Sequence, residues 1–217
     1  CGSGSGDWPR WARVANSAWV LLRGDSDPPV PLWERLLILT GAVPLAVYLA
    51  IHLLTQLSAF WGPNAHARWG GVSSAPGWIA LEIVGLYLPL VAHVALGVRR
   101  LARPDEPADG TGWPSPLGRR LAQVSGAVLL IFLVVHIAEF RLRSWTGELL
   151  PSDYYPELCA RLSSTRWGGV PWAAMGYLVG VAAAAQHGAW GLYHGALRLG
   201  LVGPRRAGAW ARFCLAL

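Results

Sequence analysis

Residues 121–140 read LAQVSGAVLLIFLVVHIAEF and carry no charged side chain before Glu139. As a helix, about 20 residues are long enough to cross a hydrocarbon layer of roughly 30 Å. The segment also contains one strongly coordinating side chain, His136. Because ionisable residues are rare inside membrane spans and are usually functional there, this stretch predicts a transmembrane helix with a functional histidine.

The composition of the whole chain is that of a helical membrane protein. Hydrophobic residues make up 53% of the 217 positions and charged residues only 14%. The 18 basic residues are all arginine and flank the apolar segments, so they indicate membrane topology and not a nucleic-acid surface. Many of the 13 tryptophans lie near segment ends, as in an interfacial aromatic belt. We therefore expect an all-α, polytopic transmembrane helical bundle.

The apolar segments predict four full spans and the start of a fifth. Residues 1–31 are interpreted as a cytoplasmic or interfacial leader, and residues 32–217 as the transmembrane domain. The predicted spans cover residues 33–60, 77–101, 121–143 and 171–201, and a fifth apolar segment begins at 209. Pro44 and Pro89 predict kinks. A short interfacial helix is expected near residues 155–162, and no useful internal repeat is apparent.

The arginines also predict the orientation. Thirteen arginines lie at or before the N-terminal end of the first span, at or after the C-terminal end of the fourth, or near the loop at 102–118, against five on the opposite side. This bias places the N-terminus and that loop in the cytoplasm. A lipidated N-terminal Cys1 is the alternative, and it would put the N-terminus outside. The chain has no C-x-x-C-H motif, which excludes a covalently attached c-type haem.

Four histidines, one in each predicted span, sort into two levels. Using a rise of about 1.5 Å per residue, His52 and His136 fall on the outer side of the bilayer centre. His93 and His187 fall on the cytoplasmic side. Two imidazoles facing each other across a bundle suit a bis-histidine haem, whereas zinc or copper needs three or four ligands at one depth.

Each histidine could instead be a hydrogen-bonded structural residue, although the matched depths favour ligands. His194 competes with His187 as the partner of His93, but its depth near the interface makes it the poorer match. His66 is predicted to be a solvated or interfacial loop residue. Small residues near the ligands would leave room for a macrocycle; these are Gly97, Gly126, Gly188 and Gly191.

Several polar residues near the two levels are further candidates. Glu82 is expected near the outer level in apolar surroundings, where it would transfer protons for a quinone or simply hydrogen-bond a neighbouring helix. Glu139 is a weaker candidate for the same role. Arg119, Arg120 and Ser125 lie at the cytoplasmic entry of the third span, where they would bind haem propionates or a quinone carbonyl, or where the arginines only mark topology.

The segments around the four histidines resemble a known family. They read AIHLLTQ at His52, ALEIVGLYLPLVAHVALGV at His93, QVSGAVLLIFLVVHIAEFRL at His136 and YLVGVAAAAQHGAWGL at His187. Their order and spacing are similar to those of the di-haem cytochrome b membrane anchors of succinate dehydrogenase and menaquinol:fumarate reductase, in the type with one anchor polypeptide. The resemblance covers roughly residues 36–206.

The resemblance implies five helices, two b haems and exchange of electrons with menaquinone in a bacterial cytoplasmic membrane. It assigns His52 and His136 as axial ligands of the outer haem and His93 and His187 as those of the inner haem. It also implies flavoprotein and iron–sulfur subunits on the cytoplasmic face, with a higher oligomer of the complex possible. The short fifth segment departs from the family, as does Ala185, where some fumarate reductases carry a glutamate.

We therefore expect an electron-transfer anchor, with the dicarboxylate chemistry belonging to the flavoprotein partner. Two rival interpretations stay open. One is a di-haem cytochrome b that serves a hydrogenase or a formate dehydrogenase. The other is a haem-free anchor or transporter component.

Overall fold

The computed structural model describes residues 30–72, 76–102, 116–202 and 206–216. The predicted leader and the prolines and acids of the 102–118 loop lie almost entirely outside these residues. Within them, the regular structure is helical apart from one isolated bridge between Trp167 and Val170. The all-α prediction is confirmed for the described part of the chain.

Seven helices follow one another in the described ranges. They are α1 (Leu32–Trp61), α2 (Pro63–Val72), α3 (Gly77–Leu101), α4 (Gly118–Trp145), α5 (Tyr154–Ser163), α6 (Trp172–Arg198) and α7 (Ala207–Ala216). The first two predicted spans match α1 and α3 closely, and the third matches α4. The short helix predicted near residues 155–162 is α5.

Three helices, α1, α3 and α4, are long and apolar enough to cross a membrane. The helix at the fourth predicted span, α6, has 27 residues, but its composition does not put it among those three. The sequence of α6 is rich in glycine and alanine, which suits close helix packing. The helix at the predicted fifth segment, α7, has only 10 residues and is too short to span.

Each of the three apolar spans contains one π-helical turn. In α1 the turn Gly41–Leu45 contains Pro44, and in α3 the turn Ile83–Tyr87 ends shortly before Pro89. Proline lacks the N–H that the helix needs and clashes with the preceding turn, so the helix widens there. The predicted proline distortions therefore take the form of π turns. A third one, Ile137–Leu142, directly follows His136 in α4.

The long helices form two hairpins. The first pairs α1 with α3, and the second pairs α4 with α6, which is the most extensive helix contact in the described residues. The hairpins touch where α6 packs against the start of α1, with Gly195 under Ile38. At the same end, Arg198 donates to both carboxylate oxygens of Glu34 at 2.8 and 3.1 Å.

A folded cap covers the opposite end of the bundle. We call this end outer and the Glu34 end inner, following the orientation predicted from the arginines. In the cap, α2 packs against α5 and against the turn Pro151–Asp153. Ion pairs join α4 to α5, with Arg143 and Arg161 both on Glu157 and Arg161 on Glu139. The segment around His66, which the sequence predicted to be a loop, therefore contains the helix α2.

Candidate functional site

The outer pair consists of His52 from α1 and His136 from α4. Their ring centres are 5.8 Å apart and the ring planes are inclined at 81°. The two residues come from different hairpins, so their approach depends on how the hairpins pack. The structure brings together the two histidines that the sequence placed at the outer level.

The inner pair consists of His93 from α3 and His187 from α6. Their ring centres are 6.1 Å apart and the planes are inclined at 84°. Again one histidine comes from each hairpin. The two pairs thus share one arrangement at the two levels predicted from the sequence.

The spacing within each pair suits a metal ion held between two imidazoles. Two metal–nitrogen bonds of about 2.0 Å, with about 1.1 Å from each nitrogen to its ring centre, would separate the centres by roughly 6.2 Å. The observed 5.8 and 6.1 Å are close to that value. Haem iron takes its four equatorial ligands from the macrocycle and needs only two axial ligands from the protein. The residues present therefore fit a bis-histidine haem at each level.

The described residues contain no group of three or more His, Cys, Asp or Glu side chains arranged to hold a metal ion. Zinc and copper sites usually need such a group, whereas a haem does not. Pairs of histidines are thus the arrangement that this part of the chain offers to a metal.

Hydrogen bonds define which nitrogen of each inner histidine is available. His93 donates from Nδ1 to the carbonyl oxygen of Leu37 at 2.9 Å, and His187 donates from Nδ1 to the carbonyl oxygen of Ala122 at 3.1 Å. A carbonyl can only accept, so Nδ1 must carry the proton in both rings. Each ring then has its lone pair on Nε2, the form in which a neutral imidazole binds a metal.

The outer pair has side-chain neighbours instead. Nδ1 of His136 is 3.0 Å from the hydroxyl of Tyr177, and the ring stacks on Phe132 at 5.5 Å. The ring of His52 stacks on Tyr48 at 5.9 Å. Among the described residues, no hydrogen bond to Nδ1 of His52 is seen. Aromatic packing therefore holds the outer rings more than hydrogen bonding does.

His194 lies apart from these pairs. Its ring stacks on Trp190 with centres 4.5 Å apart and touches Tyr193 edge-on at 4.7 Å. The ring that faces His93 is that of His187. This geometry agrees with the sequence-based preference for His187, and it gives His194 an aromatic environment at the inner end.

His66 differs from its prediction. It lies in α2, is only 3% exposed, and its Nδ1 is 3.2 Å from the hydroxyl of Ser58. The expectation of a solvated or interfacial loop residue is wrong. Burial lowers the pKa of His66 below its ordinary value. Because of the glycines and prolines near His66, the sequence did not predict a helix there. A helix this short depends on packing within the cap for its stability.

Glu82 is buried, but its surroundings are not apolar as the sequence suggested. Arg141 donates to its carboxylate from Nε at 2.8 Å and from Nη2, and Trp78 donates from Nε1 at 3.2 Å. A cavity of about 360 Å³ adjoins this ion pair, lined by Arg141, Ser144, Trp145 and Leu149 among others. Sequence reasoning did not identify Arg141 as a partner of Glu82, although it is the first arginine at the end of an apolar run. A buried charge needs a partner of opposite charge. That requirement could have predicted a basic partner for Glu82.

The remaining candidates, Glu139, Arg120 and Ser125, differ in burial and in their contacts. Glu139 pairs with Arg161 of α5 at 2.5 Å, which ties it to the cap. Arg120 is exposed. Ser125 is buried and donates to the carbonyl of Ala122 at 3.2 Å, the same carbonyl that accepts from His187. Ser125 therefore shares an acceptor with the candidate ligand His187.

The chain is similar to a characterised protein. It is 29% identical over 175 residues to the succinate dehydrogenase cytochrome b558 subunit of Bacillus subtilis (strain 168). The aligned residues cover 80% of this chain and 82% of the relative. No protein-family model matches the chain, and no solved structure matches it significantly. The relative confirms the resemblance to a succinate dehydrogenase cytochrome b membrane anchor that the segments around the four histidines indicated.

Proposed function

We propose that this chain is the membrane anchor and electron-transfer subunit of a succinate:quinone oxidoreductase. The single observation that carries the proposal is the repeated histidine pair, with ring centres 5.8 and 6.1 Å apart at two levels of one bundle. The relative named as a cytochrome b558 subunit of succinate dehydrogenase supports the same conclusion. In this proposal α6 is the fourth full span, and α7 begins the fifth.

In the proposed holoprotein, His52 and His136 bind one b haem and His93 and His187 bind the other. Each haem supplies a one-electron carrier, which divides a long transfer across the bilayer into short ones. The protein provides the axial nitrogens, fixes the tautomer of each ring and excludes water from the pairs. The N-terminus and the 102–118 loop lie in the cytoplasm, where flavoprotein and iron–sulfur subunits bind. The membrane is that of a bacterium.

We place the quinone, a menaquinone by family resemblance, near the outer pair. The buried Glu82–Arg141 pair and the adjoining cavity of about 360 Å³ support this choice. A quinone takes up protons as well as electrons, and Glu82 is a buried carboxylate bound to Arg141, which lines that cavity. Proton transfer through Glu82 requires that its bond to Arg141 loosens during turnover. Neither Arg120, which is exposed, nor Ser125 is assigned a direct contact with the quinone.

The test is a haem determination on the purified membrane protein. We expect a reduced-minus-oxidised spectrum with sharp b-type bands and about two haems per chain. Native mass spectrometry of the complex should show co-purifying flavoprotein and iron–sulfur subunits. A chain that carries no haem would contradict the proposal and favour a haem-free anchor. Co-purification of hydrogenase or formate dehydrogenase subunits would instead show that the chain is a di-haem cytochrome b of another complex.

A further inference from the structure

Both inner histidines rest on the same local structure in the neighbouring helix. In α1 the sequence Thr40–Gly41 follows Leu37, and in α4 the sequence Ser125–Gly126 follows Ala122. In each case a hydroxyl residue stands three positions after the carbonyl that the histidine binds, and a glycine stands four positions after it. We call the set Leu37, Thr40 and Gly41 the α1 notch, and the set Ala122, Ser125 and Gly126 the α4 notch.

The glycine of each notch allows the imidazole to approach the helix backbone. A methyl group at Gly41 would lie 2.5 Å from Cε1 and 2.7 Å from Nδ1 of His93. A methyl group at Gly126 would lie 2.9 Å from Cε1 and 3.1 Å from Nδ1 of His187. The same edge of the ring faces the glycine in both cases, so any side chain there would push Nδ1 away from its carbonyl.

The hydroxyls of the two notches differ in their main acceptor. Ser125 donates to the oxygen of Ala122 at 3.2 Å, while His187 donates to it at 3.1 Å. Thr40 has one proton and lies closer to the oxygen of Leu36, at 2.7 Å, than to that of Leu37, at 3.2 Å, to which His93 donates at 2.9 Å. The two notches therefore match in sequence pattern, in the glycine that adjoins the ring and in the histidine atom that they hold.

The notches also stand in the same relation to the outer histidines. His52 follows Gly41 by 11 residues, and His136 follows Gly126 by 10. The π turn Gly41–Leu45 lies in the longer of these two intervals, and a π turn accommodates one extra residue within a helix. α1 and α4 thus share a local pattern of notch and outer histidine, although the sequence shows no useful internal repeat.

We infer that the two notches are positioning sites for the inner pair, and this rests on the proposed haem function. Gly41 and Gly126 admit the rings, and the carbonyls of Leu37 and Ala122 hold the proton on Nδ1. Nε2 of His93 and His187 is thereby left unprotonated and able to bind a metal ion. The outer pair has no such notch among the described residues.

The test replaces each glycine by alanine in the full-length protein and measures both haems. The signal that remains in His52→Ala identifies the inner haem by its spectrum and midpoint potential. In Gly41→Ala and Gly126→Ala we expect the inner haem to be lost, or its low-spin signal and potential to be altered, while the outer haem stays unchanged. Retention of the outer haem shows that the bundle has folded.

The matched control is Gly195→Ala. A methyl at Gly195 would lie 2.8 Å from Cγ2 of Ile38, so this glycine is equally crowded but faces an aliphatic side chain. We expect Gly195→Ala to lower the yield or thermal stability without a selective change at the inner haem. Unaltered haems in both notch variants, joint loss of both haems, or the same selective loss in Gly195→Ala would each overturn the inference. If the wild-type protein lacks haem, the proposed function fails instead.

A second pair of variants tests the notch without adding bulk. Ser125→Ala removes the hydroxyl that shares the carbonyl of Ala122 with His187, and Thr40→Val is expected to act in the same direction but less, because Thr40 lies closer to the carbonyl of Leu36. The remaining imidazole bond should then strengthen, which makes the ligand more basic, and the inner haem potential should become more negative. Thr55→Val is the control, because Thr55 donates in the same way to the carbonyl of Ile51 but no histidine binds there. An unchanged inner potential, or an equal shift in Thr55→Val, would overturn the inference.

Discussion

The inner and outer histidine pairs have almost the same spacing but are held by different means. The inner rings donate to main-chain carbonyls of Leu37 and Ala122, beside glycines. At the outer level, His136 contacts the hydroxyl of Tyr177, and His52 stacks on Tyr48. A main-chain acceptor cannot be removed by substitution, whereas a tyrosine can. The comparison shows that one ligand geometry can be supported by backbone at one level and by side chains at the other.

The largest expected effect comes from removing a ligand. His52→Ala or His136→Ala should remove the outer haem and leave the inner one, because in the proposed function each pair binds one iron. The haem content should fall from about two per chain to about one. The measurement is a haem determination with a redox titration on purified protein. Loss of both haems, or of neither, would contradict the pairing.

The ion pairs at the two ends should differ in how much they stabilise the bundle. Glu82→Ala removes the carboxylate that pairs with the buried guanidinium of Arg141, and such losses typically cost about 3–5 kcal/mol. Glu34→Ala at the inner end should cost less, because the side chain of Arg198 is 21% exposed and that of Arg141 only 11%. Thermal unfolding midpoints in one detergent provide the comparison. A larger decrease of the thermal midpoint in Glu34→Ala than in Glu82→Ala would contradict this expectation.

Tyr177→Phe should change the outer haem alone. The hydroxyl accepts from Nδ1 of His136 when Nε2 binds iron, and its loss makes the imidazole less basic. A hydrogen bond of about 0.5–1.5 kcal/mol corresponds to roughly 20–60 mV for one electron, so the outer potential should rise by that amount. The hydroxyl variants of the inner notches should shift the inner potential in the opposite direction.

Tyr193→Phe is the control for that measurement. Tyr193 lies in the same helix, but its ring contacts are with Trp190 and His194, which lies apart from both histidine pairs. We expect both haem potentials to stay at their wild-type values in this variant. A rise of the inner potential in Tyr177→Phe would show that the two levels are not independent.

The smallest expected effect is a pH dependence confined to the outer cap. Burial lowers the pKa of His66 from its ordinary 6.5, so the unfolded chain binds the proton more readily than the folded one. The stability from the neutral ring is complete above pH 6.5 and declines as the pH falls below it. Thermal midpoints should therefore decrease from pH 7.5 to about 5.5.

His66→Gln should flatten that dependence, because glutamine cannot titrate and still offers a partner to Ser58. Glu157 does not interfere, since hydrogen bonding by Arg143 lowers the pKa of its carboxyl below 4.5 and keeps it ionised in this range. An equally steep decline in His66→Gln would assign the effect to another group.

The sequence predicted the long helices well because their signal is local. Runs of apolar residues longer than a bilayer specify α1, α3 and α4 with little tertiary information. The depth of each histidine along its helix also follows from position alone, at about 1.5 Å per residue. The predictions failed where neighbours decide the outcome, as for the helix around His66 and for the carboxylate of Glu82. Ser58 lies eight residues before His66, across a helix break, and Arg141 lies 59 residues after Glu82, so helical periodicity predicts neither contact.

The sequence by itself thus determined that the chain is a helical membrane bundle with four histidines at two levels. Only the tertiary structure decided what surrounds each ring. It placed Nδ1 of His93 and His187 on carbonyls exposed beside Gly41 and Gly126, and it gave Glu82 a buried cation. The physical reason is that hydropathy is a sum over neighbouring residues along the chain. A hydrogen bond between helices instead depends on the rotation and distance of two helices, which no single segment encodes.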